Sequence, residues 1–314
     1  MSEPLVTIYC LAYNHEKYIR DMLDGLLMQE TDFPYEIIVH DDASTDGTAS
    51  IIREYEKKYP YFFKPIYQKE NQYSKGIIIS KEFIFPKARG KYIAHCCGDD
   101  YWTDKKKLQI QVEYMEGHPE CSMCLHGYSK IEGSSKSIIK TYHCFSADTD
   151  IPADTILCWD YDHIPQASTS MYRREDARNR PDWFWMVGGI GDYPLYNYML
   201  TIGEIHYIDR IMSVWRFHKE SWSKDIIENR NKQVYHYDSL LKFLEELNLY
   251  TSYKYNESIE RAKDKFYFFY HLANEEYREA RKKACFNQQN IKTKVKVELG
   301  IFSPKLVRLI ESLA

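Results

Sequence analysis

Two adjacent carboxylates, Asp99 and Asp100, close a short β-branched and aromatic stretch that reads GKYIAHCCGDDYW over residues 90–102. Side by side at the mouth of a buried strand they repel each other and lose hydration, so something positive belongs beside them. A divalent cation meets that need. Hard oxygen ligands suit Mg2+ or Mn2+, which take one or two protein carboxylates and complete their shell with substrate phosphates and water. That chemistry points to a phosphorylated substrate. The plainer alternative is a solvated cap, with Thr103 or Asp104 opening a following helix. Further acids stand in HDDASTDGT (Asp41, Asp42) and behind three glycines (Gly188, Gly189, Gly191) at Asp192.

These residues share chemistry only if the intervening elements bring them together. Residues 5–11 (LVTIYCL) form a near-continuous apolar run, the pattern of a central parallel strand buried on both faces. Asn14 reads as the cap of a helix reaching about Gln29, with Ile19, Met22, Leu23, Leu26 and Leu27 on one side. A second strand at 35–39, a helix at 48–59 and a third strand near 63–67 follow. The loop ENQYSKG, a helical stretch around 77–86 and the strand ending in the acid pair complete the series. Strands alternating with helices imply right-handed crossovers and a mostly parallel sheet, which binds ligands at the carboxyl ends of its strands. Tyr13 and Asn14, Asp41 and Asp42, Gln72 to Lys75, and Asp99 and Asp100 should therefore line one crevice. A ring beside a carboxylate suits a nucleobase: Tyr13 can stack on its face while Asp42 accepts its imide N–H. Ser44 to Gly47 are ordinary turn formers.

The 314 residues, 44% hydrophobic and 28% charged, can bury a substantial core. A formal net charge of -4 lacks the basic excess that a nucleic-acid partner would require. The N-terminus has neither a basic nor a long apolar leader segment, and no uninterrupted run is long enough to span a bilayer. A cytoplasmic location follows as an expectation, with the 8 cysteines reduced. Cys121-x-x-Cys124, near His118 and His126, lacks a second pair to complete a zinc site. Cys121, Met123 and Leu125 fit the inward face of a strand instead.

In order and separation, VTIYCLAYNHEKYI, EIIVHDDASTDGT and GKYIAHCCGDDYW resemble the inverting nucleotide-sugar glycosyltransferases of family 2, which have a GT-A fold. The likeness is dense over about the first 115 residues and thinner to about residue 224. It implies a Rossmann-like α/β architecture with a mostly parallel mixed sheet flanked by helices. It also implies that Asp42 contacts the base, that Asp99 lies near the ribose or diphosphate and that Asp100 ligates the metal. Tyr13, Asn14, Lys75 and Arg216 join Asp42 and Asp99 as nucleotide-binding candidates. Leu11 and Ala12 stand where many members have Pro-Thr, removing one hydroxyl contact to the base. Family members carry a Glu-Asp or Gly-Asp element whose Asp is the catalytic base, and the resemblance transfers that role to Asp192; a simple helix cap is the alternative. The segment SVWRFHKESWS resembles the family's Arg-x-His-x-x-Ser element, in which Arg216 would meet the diphosphate and His218 supply a further metal ligand. Trp183 and Trp185 could face an acceptor sugar or pack in the core.

The domain division expected is 1–225 for the GT-A domain and 226–314 for a helical C-terminal region, whose last part is a basic amphipathic tail broken by Pro304. That tail offers peripheral contact with the inner face of a membrane, although a charged helical face is most often just solvated. The activity implied is metal-dependent transfer, with Mn2+ or Mg2+, from a nucleotide-diphosphate sugar, UDP-linked by preference, to a saccharide or lipid-linked saccharide in bacterial surface polysaccharide synthesis. A sugar-phosphate nucleotidylyltransferase would need a Gly-rich loop where AYNHEKY stands. The non-enzymatic rival is an assembly protein that binds nucleotide or glycan after losing catalysis; the presence of both Asp100 and Asp192 argues against it, and a purely structural role does not explain acids at three strand ends.

Overall fold

The computed structural model describes residues 3–159, 164–185 and 191–312. The two apolar runs become β1, Val6–Ala12, and β2, Tyr35–Asp41, paired in parallel register from Val6 opposite Tyr35 to Ala12 opposite Asp41. Both are buried along almost their whole length, as strands covered on two faces must be. Between them α1, Ile19–Leu27, buries Ile19, Met22, Leu23 and Leu26 completely. Each such side chain contributes about 1.5–3 kcal/mol of hydrophobic stabilisation. After β2 come α2, Thr48–Lys58, and β3, Ile66–Tyr67. The third strand is shorter than its sequence suggests, because Phe63 makes only an isolated bridge to Ile37. The helical stretch expected at 77–86 narrows to one π-helical turn, Ser80–Ile84.

β4, Tyr92–His95, pairs with β1 in parallel. The acid pair does not lead into a helix. It leads into β5, Tyr101–Trp102, and α3, Lys107–Gly117, starts five residues later, with Asp104 Oδ1 accepting the Lys106 N–H. Next come β6, Cys121–Glu132, then β7, Lys140–Tyr142, β8, Thr149–Asp150, β9, Met171–Arg173, and β10, Glu204–Phe217. The sheet order is β3-β2-β1-β4-β9-β6-β10-β5, with β7 on β6 and β8 on β10. β9 is antiparallel to both β4 and β6, and β5 is antiparallel to β10, so the sheet is mixed. β6 does not alternate: residues 121–129 are all buried because the strand lies between β9 and β10. Of the expected ASTSMYRR strand, only the second half is extended; Ala167–Thr169 is a 3-10 turn.

The chain forms two compact units that divide at residues 218 and 219, residues 157–159 grouping with the second. The second unit is helical, with long helices Arg230–Tyr250 and Asn256–Ala273 followed by shorter ones. Phe268, Tyr277, Ala280, Cys285, Val297 and Val307 form a core of its own. Asn229 and Asn290 cap two of its helices by accepting backbone N–H bonds.

Candidate functional site

The carboxyl ends of β1, β2 and β4 place their loops side by side. The Asp42 N–H donates to Ala12 O at 2.9 Å, and the Gly98 N–H donates to Leu11 O at 3.2 Å. Gly98 cannot be replaced cheaply: a Cβ there would stand 2.9 Å from Leu11 O. This close approach lets the acid pair reach the end of β1.

Asp42 is 3% exposed and accepts two backbone N–H bonds, from Gln72 at 2.8 Å and Tyr73 at 3.0 Å. It thus ties the loop after β3 to the loop after β2. Tyr13 is 44% exposed, leaving its ring open for stacking. Asn14 is not a helix cap. It adopts a left-handed conformation, φ 56°, and its Oδ1 accepts the Thr45 N–H at 2.8 Å. α1 starts five residues after Asn14, at Ile19, with no side-chain cap. The physical reason is competition: a short polar side chain tolerates positive φ, and the neighbouring loop offers it a better donor. Lys75 sits on an exposed 3-10 turn and pairs with Glu70. Burial pushes the Asp41 carboxyl up, against the hydrogen bonds of Ser44.

The acid pair is held from three directions. Asp100, 2% exposed, accepts the Ser168 hydroxyl on Oδ2 at 2.6 Å and the Arg216 backbone N–H on Oδ1 at 2.9 Å. Asp99 Oδ2 meets His218 Nε2 at 2.9 Å. Antiparallel pairing of β5 with β10, Val214 opposite Tyr101, brings Arg216 and His218 to the acids from the far end of the chain. Arg216 does not present its charge to a ligand here. It is 1% exposed, with Nε on Asp99 O, Nη1 on Gly133 O and Nη2 on Asp21 Oδ2. A guanidinium must satisfy its donors when buried, and the chain supplies the acceptors. His218 likewise falls outside the group of metal-ligating atoms, its Nε2 being spent on Asp99.

That group, among the described residues, is Cys97, Asp99 and Asp100, whose ligand atoms all lie within 4.8 Å of one another. Burial, then the charge of Asp99, pushes the Asp100 carboxyl well up. Burial also opposes ionisation of Asp99, but the His218 hydrogen bond and the charges of His15 and His218 outweigh it and hold that carboxyl down. Burial and both acids raise the Cys97 thiol. A divalent cation would relieve the repulsion between the carboxylates, so this donor set fits one.

Asp192 is the first residue of the helix Asp192–Ile202. Gly188 and Gly189, expected to form the turn before it, lie outside the described residues, and Gly191 is the N-cap. Burial pushes the Asp192 carboxyl up to about 6, and the backbone N–H of Ala167 opposes the shift. The next residue, Ser168, is the one that holds Asp100. Ser168 Oγ also accepts the Cys97 N–H at 3.0 Å, and its carbonyl accepts Trp102 Nε1 at 2.9 Å. Two consecutive residues of one turn therefore touch the two carboxylates that sequence reasoning singled out from positions 92 residues apart. Trp185 packs near Phe85 and beneath Lys81, and Trp183 is partly buried beside Phe184.

Sequence reasoning missed Ser168 and Cys97. Nothing in ASTSMYRR sets Ser168 apart from Ser170, but the thiol two residues before Asp99 stands at ligand spacing and could have been found.

The profile described as Glycosyl transferase family 2 matches residues 7–180. An uncharacterized Mycobacterium tuberculosis protein is 36% identical over 223 residues, 68% of this chain and 59% of the relative. The chain thus spans less than two thirds of that relative's length. In structure the chain is similar to Staphylococcus aureus TarS 1-349 in complex with UDP-GlcNAc, at TM-score 0.62 and 16% identity, over 92% of this chain and 77% of that one. TarS is a poly(ribitol-phosphate) β-N-acetylglucosaminyltransferase. This chain is also similar to the mannosyltransferase PcManGT of Pyrobaculum calidifontis in complex with GDP-Man and Mn2+, at TM-score 0.55 and 14% identity, over 99% of this chain and 84% of that one. These likenesses identify the fold as GT-A.

Proposed function

Since the chain belongs to glycosyl transferase family 2, we propose that it is an inverting, metal-dependent glycosyltransferase moving a sugar from a UDP-sugar to a hydroxyl acceptor. The observation that carries this reading is the turn in which Ala167 touches Asp192 and Ser168 touches Asp100. It sets a carboxyl that titrates at about 6 near a carboxylate pair suited to a divalent cation, which would in turn hold a diphosphate.

Tyr13 stacks on the base and Asp42 accepts its imide N–H, with Asn14 and Lys75 bordering the nucleotide. Asp99, oriented by His218, faces the ribose and diphosphate. A divalent cation, Mn2+ or Mg2+, held by Asp99 and Asp100 would supply Lewis-acid stabilisation to the departing diphosphate. Arg216 fixes the acidic loop from behind. Asp192, ionised, takes the proton from the acceptor hydroxyl as its oxygen attacks the anomeric carbon. The new carbon–oxygen bond forms on one face while the bond to the diphosphate breaks on the other, so the anomeric configuration inverts.

The acceptor we propose is a saccharide or lipid-linked saccharide in bacterial surface polysaccharide synthesis; the polymer named as the substrate of TarS supports it. A lipid-linked acceptor would bring the enzyme to the inner face of the membrane. Exposed Phe302, Leu306, Leu309 and Ile310, with Lys305 between them, support peripheral contact there. No helix among the described residues is long and apolar enough to cross a membrane.

Thermal-shift screening of UDP- and GDP-sugars with and without Mn2+ tests the donor, because a cognate ligand stabilises only the folded state. Proton NMR of the transfer product tests inversion. Stabilisation by a UDP-sugar only with metal, and a product of opposite anomeric configuration, are expected. Retention of configuration would refute the mechanism, and equal stabilisation without metal would refute the cation's role.

A further inference from the structure

We propose that Cys97 Sγ is the third protein ligand of the divalent cation, so that this site favours thiophilic ions such as Co2+ and Zn2+ over Mg2+. The inference rests on the donor-site reading above and deepens it. Its basis is placement. Cys97 Sγ lies within 4.8 Å of ligand oxygens of both Asp99 and Asp100. Its backbone N–H is fixed on Ser168 Oγ, the same oxygen that holds Asp100, so one hydroxyl positions the thiol and the carboxylate together.

Four of the chain's seven other thiols give the contrast. Cys10 donates to Met22 Sδ, and Cys121, Cys124 and Cys158 donate to backbone carbonyls. Among the described residues Cys97 Sγ makes no such bond, so no internal partner holds it away from the acids. Oxygen ligands alone suit Mg2+, whereas one thiolate shifts preference towards softer ions. Coordination breaks the S–H bond, releases that proton to solvent and forms the metal–sulfur bond from the electron pair left on sulfur. No oxidant or reductant is involved.

The test is Co2+ titration of the full chain, alone and with UDP, followed by absorption and calorimetry. A thiolate-to-cobalt charge-transfer band should grow to one equivalent, persist in Cys96→Ala and vanish in Cys97→Ser. Loss of a direct ligand should weaken Co2+ binding by about tenfold or more in Cys97→Ser, at least matching the loss that follows removal of an outer-shell partner. Mg2+ affinity should change little in Cys97→Ser, and Cys97→Asp should strengthen it. Unchanged circular dichroism of the near-isosteric Cys97→Ser would establish that it folds. One equivalent of Co2+ bound without the band, or a band that survives Cys97→Ser, overturns this inference alone. Failure of the wild-type chain to bind Co2+ or Mn2+ with UDP present overturns the metal-dependent reading and this inference with it.

Discussion

Asp192→Asn should make the protein more stable at neutral pH while removing its activity. Burial holds the Asp192 carboxyl at about 6 against an ordinary value of 3.8. The folded protein therefore keeps this proton through a pH range in which the unfolded chain has released it. Stability falls as pH rises from about 4 to about 6 and stays lower above that. The difference corresponds to about 3 kcal/mol for the fully ionised group, reduced towards 2 by the favourable helix N-terminus that the carboxylate occupies. Asn cannot ionise, so the variant escapes this cost. Chemical denaturation of both proteins at about pH 7.5 and about pH 4, the two ends of the titration, reads it directly. The variant should gain about 2 kcal/mol at the higher pH and lose its advantage at the lower one. In parallel, wild-type transfer should fall along an acid limb centred near 6, from about nine-tenths of maximum at pH 7 to about a tenth at pH 5. A variant no more stable than wild type at neutral pH would refute the claim that Asp192 is desolvated. An acid limb near 4 would refute the claim that this group is the base.

Three further outcomes are expected. Ser168→Ala leaves Asp100 and Cys97 each without one partner and should weaken Mn2+ binding by about 10–100-fold, with Ser168→Thr restoring most of it; calorimetry decides, and unchanged affinity would confine Ser168 to packing. Tyr13→Ala should weaken UDP binding by about 1–3 kcal/mol without altering stability, since the ring is exposed; equal affinity would remove the stacking role. Lys107, fully buried, has its ammonium pushed down to about 7 by burial, against the opposing influence of Cys96 and Cys124. The unfolded chain holds this proton to about 10.5, so wild-type stability should rise with pH between those values; against Lys107→Met, denaturation should show the wild type gaining about 1.4 kcal/mol per pH unit there, and a flat difference would contradict the burial of its charge.

The first half of the sheet was legible because its signals are local. β1 and β2 are apolar runs, and the acids that follow them announce the strand ends. What escaped depends on partners distant in sequence. Asn14 has the composition of a cap, yet its oxygen is captured by Thr45 from the next crossover. Thr103 and Asp104 read as caps of a following helix, but pairing of β5 with β10 keeps the chain extended after the acid pair, and the helix starts only at Lys107 with Lys106 as its cap. Arg216 and His218, two apart on a strand in a segment that resembles a family element, are expected at the diphosphate and at the metal. The folded chain spends these groups on Asp99, Gly133 and Asp21, contacts that no spacing rule reveals. Lys107 is invisible for the same reason. A lysine in a helix reads as solvated, but here its ammonium lies over the Trp102 ring at 3.9 Å and donates to Gln111.

The central claim, that the acid pair grips the donor and Asp192 activates the acceptor, is tested most directly by UDP-sugar calorimetry with Mn2+ and single-turnover transfer on Asp100→Asn and Asp192→Asn. Donor binding should be lost with Asp100→Asn and kept with Asp192→Asn, and neither protein should transfer sugar. Transfer by Asp192→Asn at the wild-type rate, or undiminished donor binding by Asp100→Asn, would contradict it.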